Sequence, residues 1–213
     1  MQVDRSEPVL PVNSSVVGTI HERLVFDRRT QVLAKSLSSL LPSQATVLDV
    51  GCGDGSIDAL ILEQRPDVSI RGIDILLRPD TKIPVDRFDG EHLPLADNSF
   101  DVVCFVDVLH HTNDPETLLR EARRVARKVV LLKDHTMQGI FAYHTLRFMD
   151  WVGNAHHRVA LPYNYWSEDK WKLAFDEIGL QIAEWRANIG LYPFPASLVF
   201  ERGLHFIAAL RVD

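Results

Sequence analysis

A short apolar strand leads directly into three glycines at alternate positions and then into a helix. The stretch is Val47-Leu48-Asp49-Val50-Gly51-Cys52-Gly53-Asp54-Gly55-Ser56, and it restricts the chain more than any other feature. Glycine lets the backbone turn sharply and approach a ligand where a Cβ would collide. The N–H groups exposed at the start of the following helix favour a carboxylate or a phosphate. A dinucleotide-binding loop puts its third glycine one residue later, as G-x-G-x-x-G. Here that position is Ser56 and the spacing is G-x-G-x-G. Asp49, two residues before the first glycine, would repel a pyrophosphate and suits a ligand that carries an ammonium group.

The remainder alternates in the same way. Residues 1–13, with Pro8 and Pro11, read as a loose lead-in. A helical pattern runs from Ser15 to Leu41, with Val25, Val32, Leu33, Leu37, Leu40 and Leu41 towards one face, and Pro42 ends it. Strands are expected at Thr46–Val50, Val68–Ile73, Arg87–Phe88, Phe100–Val106 and Val129–Leu132, then at Gln181–Ala187 and His205–Leu210. Helices are expected at Ser56–Gln64, from Asn113-Asp114-Pro115-Glu116 onward, and at Ser167–Ile178, where Gly179 stops the last. Strands alternating with helices imply a parallel sheet covered on both faces. One segment breaks the rhythm: 33 residues, Asp134–Trp166, rich in aromatics and histidine. A connection that long is usually functional, often a lid. The alternative is a helical decoration with its own small core, to which Phe141, Leu146, Phe148 and Met149 would contribute.

The chain has 213 residues, 46% hydrophobic and 24% charged, as for one globular domain that needs no metal or disulfide staple. Only two cysteines occur, Cys52 and Cys104, both in core-like surroundings, which fits a reducing, cytoplasmic setting. The net charge of -6 disfavours a nucleic-acid partner, which calls for a basic face. No apolar run approaches the roughly 18–20 residues needed to span a bilayer, so no membrane association is expected.

Four stretches in register carry a resemblance. They are Asp49-Val50-Gly51-Cys52-Gly53-Asp54-Gly55, Ile73-Asp74-Ile75, Phe88-Asp89-Gly90 with the following run to Asp101, and Val106-Asp107-Val108-Leu109-His110-His111. Together they resemble class I S-adenosylmethionine-dependent methyltransferases, of the subfamily that acts on small molecules. The resemblance covers roughly Ala45 to Lys133. It implies a Rossmann-like three-layer α/β/α sandwich with a seven-stranded, mostly parallel sheet whose last strand is antiparallel. It also implies S-adenosylmethionine as cofactor, bound by Asp49, Gly51, Cys52, Gly53 and Gly55. Asp74, with Ile75 beside it, would bind both ribose hydroxyls; it follows Gly55 by 19 residues, the usual spacing for a ribose-binding acid. Asp89 would accept from the adenine amino group, the Gly90 N–H would meet a ring nitrogen, and Val106 begins the stretch beside the methionine part. The chain then reads as one domain. Residues 1–45 form an N-terminal helical cap, 46–133 the cofactor-binding half, 134–166 a lid over the substrate, and 167–213 a C-terminal helix and strands.

Methyl transfer from a sulfonium depends mainly on alignment, and a base is needed only when the acceptor arrives protonated. Six of the nine histidines lie between positions 110 and 157. His111 and His135 follow strands four and five, where α/β sheets hold ligands, and are the candidate bases. His110, His144, Tyr163 and Tyr165 are candidate substrate contacts, and the expected acceptor is a small molecule. No metal is expected: His156-His157 are adjacent, so their side chains point apart, and no cysteine or HExxH pattern supports them. Two other readings stay open, a cofactor-binding protein without turnover and an RNA methyltransferase, which would need a basic surface stripe. The loop spacing opposes a nicotinamide-dependent oxidoreductase.

Overall fold

The strands alternate in what they bury, and that alternation builds the layers. In the computed structural model, which describes residues 16–154 and 162–212, the strands are β1 (Thr46–Val50), β2 (Ser69–Asp74), β3 (Val85–Arg87), β4 (Phe100–Val106), β5 (Ala126–His135), β6 (Leu180–Arg186) and β7 (His205–Val212). The helices are α1 (Val16–Ser38), α2 (Ser56–Gln64), α3 (Pro115–Val125), α4 (Ala142–Asn154), α5 (Glu168–Ile178) and the short α6 (Ser197–Phe200). Successive strand residues point to opposite faces. Leu48, Val103, Phe105, Val130, Leu132, Phe206 and Ala208 therefore pack with Leu118, Leu119, Trp171 and Phe175 of α3 and α5. Val47, Val102, Cys104, Leu131, Ile207 and Ala209 pack with Leu33, Leu37 and Ile61 of α1 and α2. Each such leucine or phenylalanine contributes roughly 1.5–3 kcal/mol by leaving water.

Among the described residues the strands form one sheet in the order β3-β2-β1-β4-β5-β7-β6. Every pairing is parallel except those of β7, which runs antiparallel to β5 and β6. This is the three-layer Rossmann-like architecture with an antiparallel last strand. The order reverses between β1 and β4, where Val50 pairs with Phe105. The loops leaving these two strands diverge and open a crevice at their carboxyl ends, the place where open α/β sheets bind ligands.

The helix ends follow their sequence signals. The Asp114 side chain accepts from the Thr117 N–H at 3.1 Å with Pro115 in the first turn, Ser167 accepts from the Lys170 N–H at 3.3 Å, and Gly179 closes α5 at φ 79°. Some boundaries differ from expectation. α1 ends at Ser38 rather than Leu41, although Leu41 is still buried, and β3 lies at Val85–Arg87, just before Phe88. β5 extends from the expected Val129–Leu132 to Ala126–His135. Lys133, Asp134 and His135 stop a hydropathy pattern, yet all three are buried and take partners inside the fold. β5 thus takes the first two residues of the long segment, and α4 follows. Residues 155–161, with His156 and His157, lie outside the described residues. α4 has a small core of its own: Ala142 and Leu146 pack with Tyr165, Leu204, Met149 and Tyr163. Phe141 and Phe148, expected to contribute to it, are 70% and 53% exposed.

Candidate active site

Two structures meet at the crevice. The first is the glycine loop. Gly51 has φ 76° and donates its N–H to the Ile73 carbonyl at 2.7 Å. A Cβ there would lie 2.6 Å from Val108 Cγ2, so only glycine lets the loop from β1 pass under the one from β4. Gly53, at φ 62°, donates to Asp74 Oδ2 at 2.9 Å, and Asp74 Oδ1 accepts from the Leu76 N–H at 2.9 Å. Asp74 at the end of β2 therefore braces the loop. The Arg78 guanidinium lies over Gly53, 3.3 Å from where a Cβ would be.

The second is a buried polar cluster on the ends of β4 and β5. Asp107, just past β4 at φ 58°, pairs with Arg29 of α1 through Oδ2 and with Lys133 of β5 through Oδ1. Asp134 accepts from the Leu109 N–H at 3.0 Å and the His135 N–H at 2.7 Å, and lies 2.7 Å from His110 Nδ1. Asp150 of α4 accepts from the Tyr165 hydroxyl. Its Oδ2 lies 3.5 Å from His110 Nε2 and its Oδ1 3.7 Å from His135 Nε2.

Charge in this cluster divides sharply. Burial disfavours a cation at His110, but Asp134 and Asp150 outweigh it and hold the imidazole up at about 10. Burial and the neighbouring His110 lower His111. Burial, then Lys133 and His110, push His135 well down. His111 and His135 are therefore neutral near pH 7, and His135, whose cation is the more strongly disfavoured, is the weaker base of the two. Burial opposes the charge on Asp107, but Lys133 and Arg29 keep its carboxyl far below the usual range. Burial raises both thiols, so neither Cys52 nor Cys104 is a ready nucleophile.

A cavity of about 340 Å³ joins the two structures; Gly51, Cys52, Gly53, Val106, His110, His111 and His135 line it, with Arg29, Asp107 and Asp150. The other expected residues are not on its wall. Asp49 is buried under the loop against Asp58. Ile75 is exposed, with Cγ2 3.2 Å from the position of a Cβ on Gly90. Asp89 is exposed, and the His92 and Glu91 N–H groups on it lower its carboxyl. Tyr165 is brought into the cluster through Asp150, and its ring stacks on His110 at 5.8 Å. Tyr163 sits in the small α4 core with Arg147 5.1 Å over its ring. His144 is exposed on α4, its ring edge-on to Tyr143, away from the cavity lining.

Sequence reasoning missed Arg29, Asp107, Lys133, Asp134 and Asp150 as site residues. The Lys133-Asp134-His135 run, which continues an apolar strand with no turn residue between, was a readable signal for three of the cluster's groups. Arg29 sits beside Asp27 and Arg28 on α1 and carried none; Asp150, a lone acid among Phe148, Met149 and Trp151 on α4, carried only a faint one.

The Asp49–Asp58 pair has a measurable consequence. Burial raises Asp58 to about 6, above the usual carboxylate range, and burial with the neighbouring Asp58 lifts Asp49 well above that range too. A carboxyl whose folded value is raised favours folding at low pH, and that contribution is lost as pH climbs from about 4 through 6. Asp58→Asn is expected to unfold like the parent near pH 3.5 and to be roughly 1–3 kcal/mol more stable at pH 8, in denaturant titrations without ligand. Equal stability at both pH values would refute the strained pair.

The glycine cradle, the acid at the end of β2 and the crevice at the reversal of strand order define a nucleoside-cofactor site of the methyltransferase kind. A sequence profile described as a methyltransferase domain matches residues 21–184, and the chain belongs to that family, among the class I S-adenosylmethionine-dependent methyltransferases. It is 31% identical over 121 residues to 27-O-demethylrifamycin SV methyltransferase of Amycolatopsis mediterranei, covering 50% of this chain and 44% of that protein. It is 33% identical over 90 residues to tRNA U34 carboxymethyltransferase of Nautilia profundicola, covering 36% of this chain and 29% of that one. The chain spans less than half the length of the curated relatives it matches. The fold is similar to that of a solved SAM-dependent methyltransferase from Aquifex aeolicus, with a TM-score of 0.60 at 16% identity over 92% of this chain and 98% of that one. S-adenosylmethionine is the family's cofactor, and the cradle fits it: the glycines clear a path that a Cβ would fill.

Proposed function

We propose that this chain moves the methyl group of S-adenosylmethionine to an O, N or C nucleophile of a small-molecule acceptor held in the cavity. The observation that carries this reading is that the glycine cradle and the histidine–aspartate cluster open into one space. Bound cofactor supplies an electrophilic methyl on a sulfonium with a good leaving group. Gly51 and Gly53 give it room, Asp74 holds its ribose, and Asp89 with the Gly90 N–H meets its adenine. His111 or His135 takes a proton from the acceptor, and His110 fixes that acceptor's orientation. The α4 segment covers the cavity as a lid and, with the N-terminal helix, excludes water. The rifamycin-modifying relative favours a small acceptor, and the net charge of -6 counts against RNA. Among the described residues no helix is long and apolar enough to cross a membrane, and a reducing, cytoplasmic setting suits the two free thiols.

The test is acceptor screening with purified protein, followed by His111→Gln and His135→Gln singly. One of the two is expected to lose about 10²–10⁴-fold in kcat while S-adenosylhomocysteine still binds with unchanged affinity. Unchanged turnover in both variants would remove the base from the mechanism. Absence of transfer to any acceptor class, with cofactor bound, would favour a binding protein.

A further inference from the structure

His110 and His111 are adjacent, and in a strand their rings would diverge. They sit instead in a single 3-10 turn, Leu109–His111, which brings the ring centroids to 3.9 Å. His110 is 1% exposed, and its Nε2 has no hydrogen-bond partner. Nor has the buried Nδ1 of His111. His110, His111 and Asp150 each offer one ligand atom, all within 4.8 Å of one another. The 3.5 Å between His110 Nε2 and Asp150 Oδ2 is too long for a good hydrogen bond. It is close to the edge of a tetrahedral site, about 3.3–3.4 Å for metal–ligand bonds of roughly 2.0–2.1 Å.

The surroundings suit a cation. His110 Nδ1 lies 2.7 Å from Asp134, which fixes the ring so that Nε2 faces Asp150, the carboxylate–histidine arrangement that orients metal ligands. Asp150 is itself oriented by the Tyr165 hydroxyl. The cations Arg29 and Lys133 are both engaged by Asp107. That makes the neighbouring trio of Asp107, His110 and His135 the poorer one.

We propose that His110 Nε2, His111 and Asp150 bind one divalent first-row transition ion, zinc or iron(II) in preference to magnesium. Two borderline imidazoles outnumber one hard carboxylate, the ion displaces to solvent the proton that His110 otherwise carries at Nε2, and three protein ligands leave a coordination position open. The cavity gives that position access to a ligand. On the methyl-transfer reading, an acceptor hydroxyl takes it and is acidified, its proton passing to His135 and then to solvent. The acceptor oxygen then gains the methyl as the sulfur–methyl bond breaks, leaving a neutral thioether.

The test uses the full chain stripped with chelator, calorimetric titration with Zn²⁺ and with Co²⁺, and elemental analysis of the reloaded protein. One equivalent is expected, with a Kd below about 10 µM, weakened at least ~10-fold in His111→Gln and in the near-isosteric Asp150→Asn. His144→Gln, off the site, is expected to bind like the parent. Weaker binding than 10 µM in the parent, or binding unaltered in both ligand variants, overturns the proposal. S-adenosylhomocysteine titration of the same samples separates the two readings. Retained cofactor binding without metal binding overturns the ion alone, and lost cofactor binding counts against the methyltransferase reading.

Discussion

Asp74→Ala will bind S-adenosylhomocysteine at least about 100-fold more weakly than the parent protein while remaining folded. Asp74 is half-buried at the end of β2, so its removal opens no core. Its carboxylate accepts from the Gly53 and Leu76 N–H groups, and on the proposed reading it would also serve the two ribose hydroxyls. A hydrogen bond to a charged group is worth roughly 1.5–3 kcal/mol, and two such bonds amount to between two and four decades of affinity. Asp74→Asn keeps an acceptor for one partner and falls between. Calorimetry on both variants, with circular dichroism as the folding control, settles the matter. Near-parental affinity in the alanine variant would mean that the ribose lies elsewhere.

The second large effect concerns stability. Asp107→Asn leaves Lys133, which is fully buried, without its carboxylate, and should destabilise the fold by about 3–5 kcal/mol. Arg29, with 31% of its side chain exposed, can turn towards water, so most of the cost falls on Lys133. Lys133→Met in the Asp107→Asn background removes the stranded charge at similar volume. It should bring stability back to within roughly 1–2 kcal/mol of the parent. Denaturant unfolding of the two single variants and the double variant gives the coupling directly. Additive losses would show that the pair does not act as a unit.

The architecture was legible because its signals are local. Glycine spacing marked the loop, Asp114-Pro115 and Ser167 marked two helix starts, and the near-continuous apolar run of β4 marked a central strand. Of the residues expected to bind the cofactor, Gly51, Cys52, Gly53 and Val106 lie on the cavity wall, whereas Asp49, Gly55, Asp74, Ile75, Asp89 and Gly90 do not. The polar cluster was only partly legible. Its partners come from four places far apart in sequence, around Arg29, Asp107, Lys133 and Asp150, and a buried ion pair is written in neither of its halves alone. Hydropathy reads Lys133 and Asp134 as the end of a strand, whereas pairing across the sheet carries them inside. The same reasoning misplaced Phe141 and Phe148: apolar character says that a residue can be buried and does not say that a neighbour covers it.

The position of β7 bears on how the molecule is assembled during synthesis. β7 follows β6 in the chain yet lies between β5 and β6. A ribosome releases β6 first, when the place it will occupy does not exist. Until residues 205–212 emerge, β5 presents an open edge, and Lys133 lacks His205, whose Nδ1 lies 3.4 Å from its Nζ in the finished fold. The polar cluster around Lys133 is therefore completed only once β7 has joined the sheet, and a nascent chain arrested before β7 would carry a formed glycine loop beside an unfinished cluster.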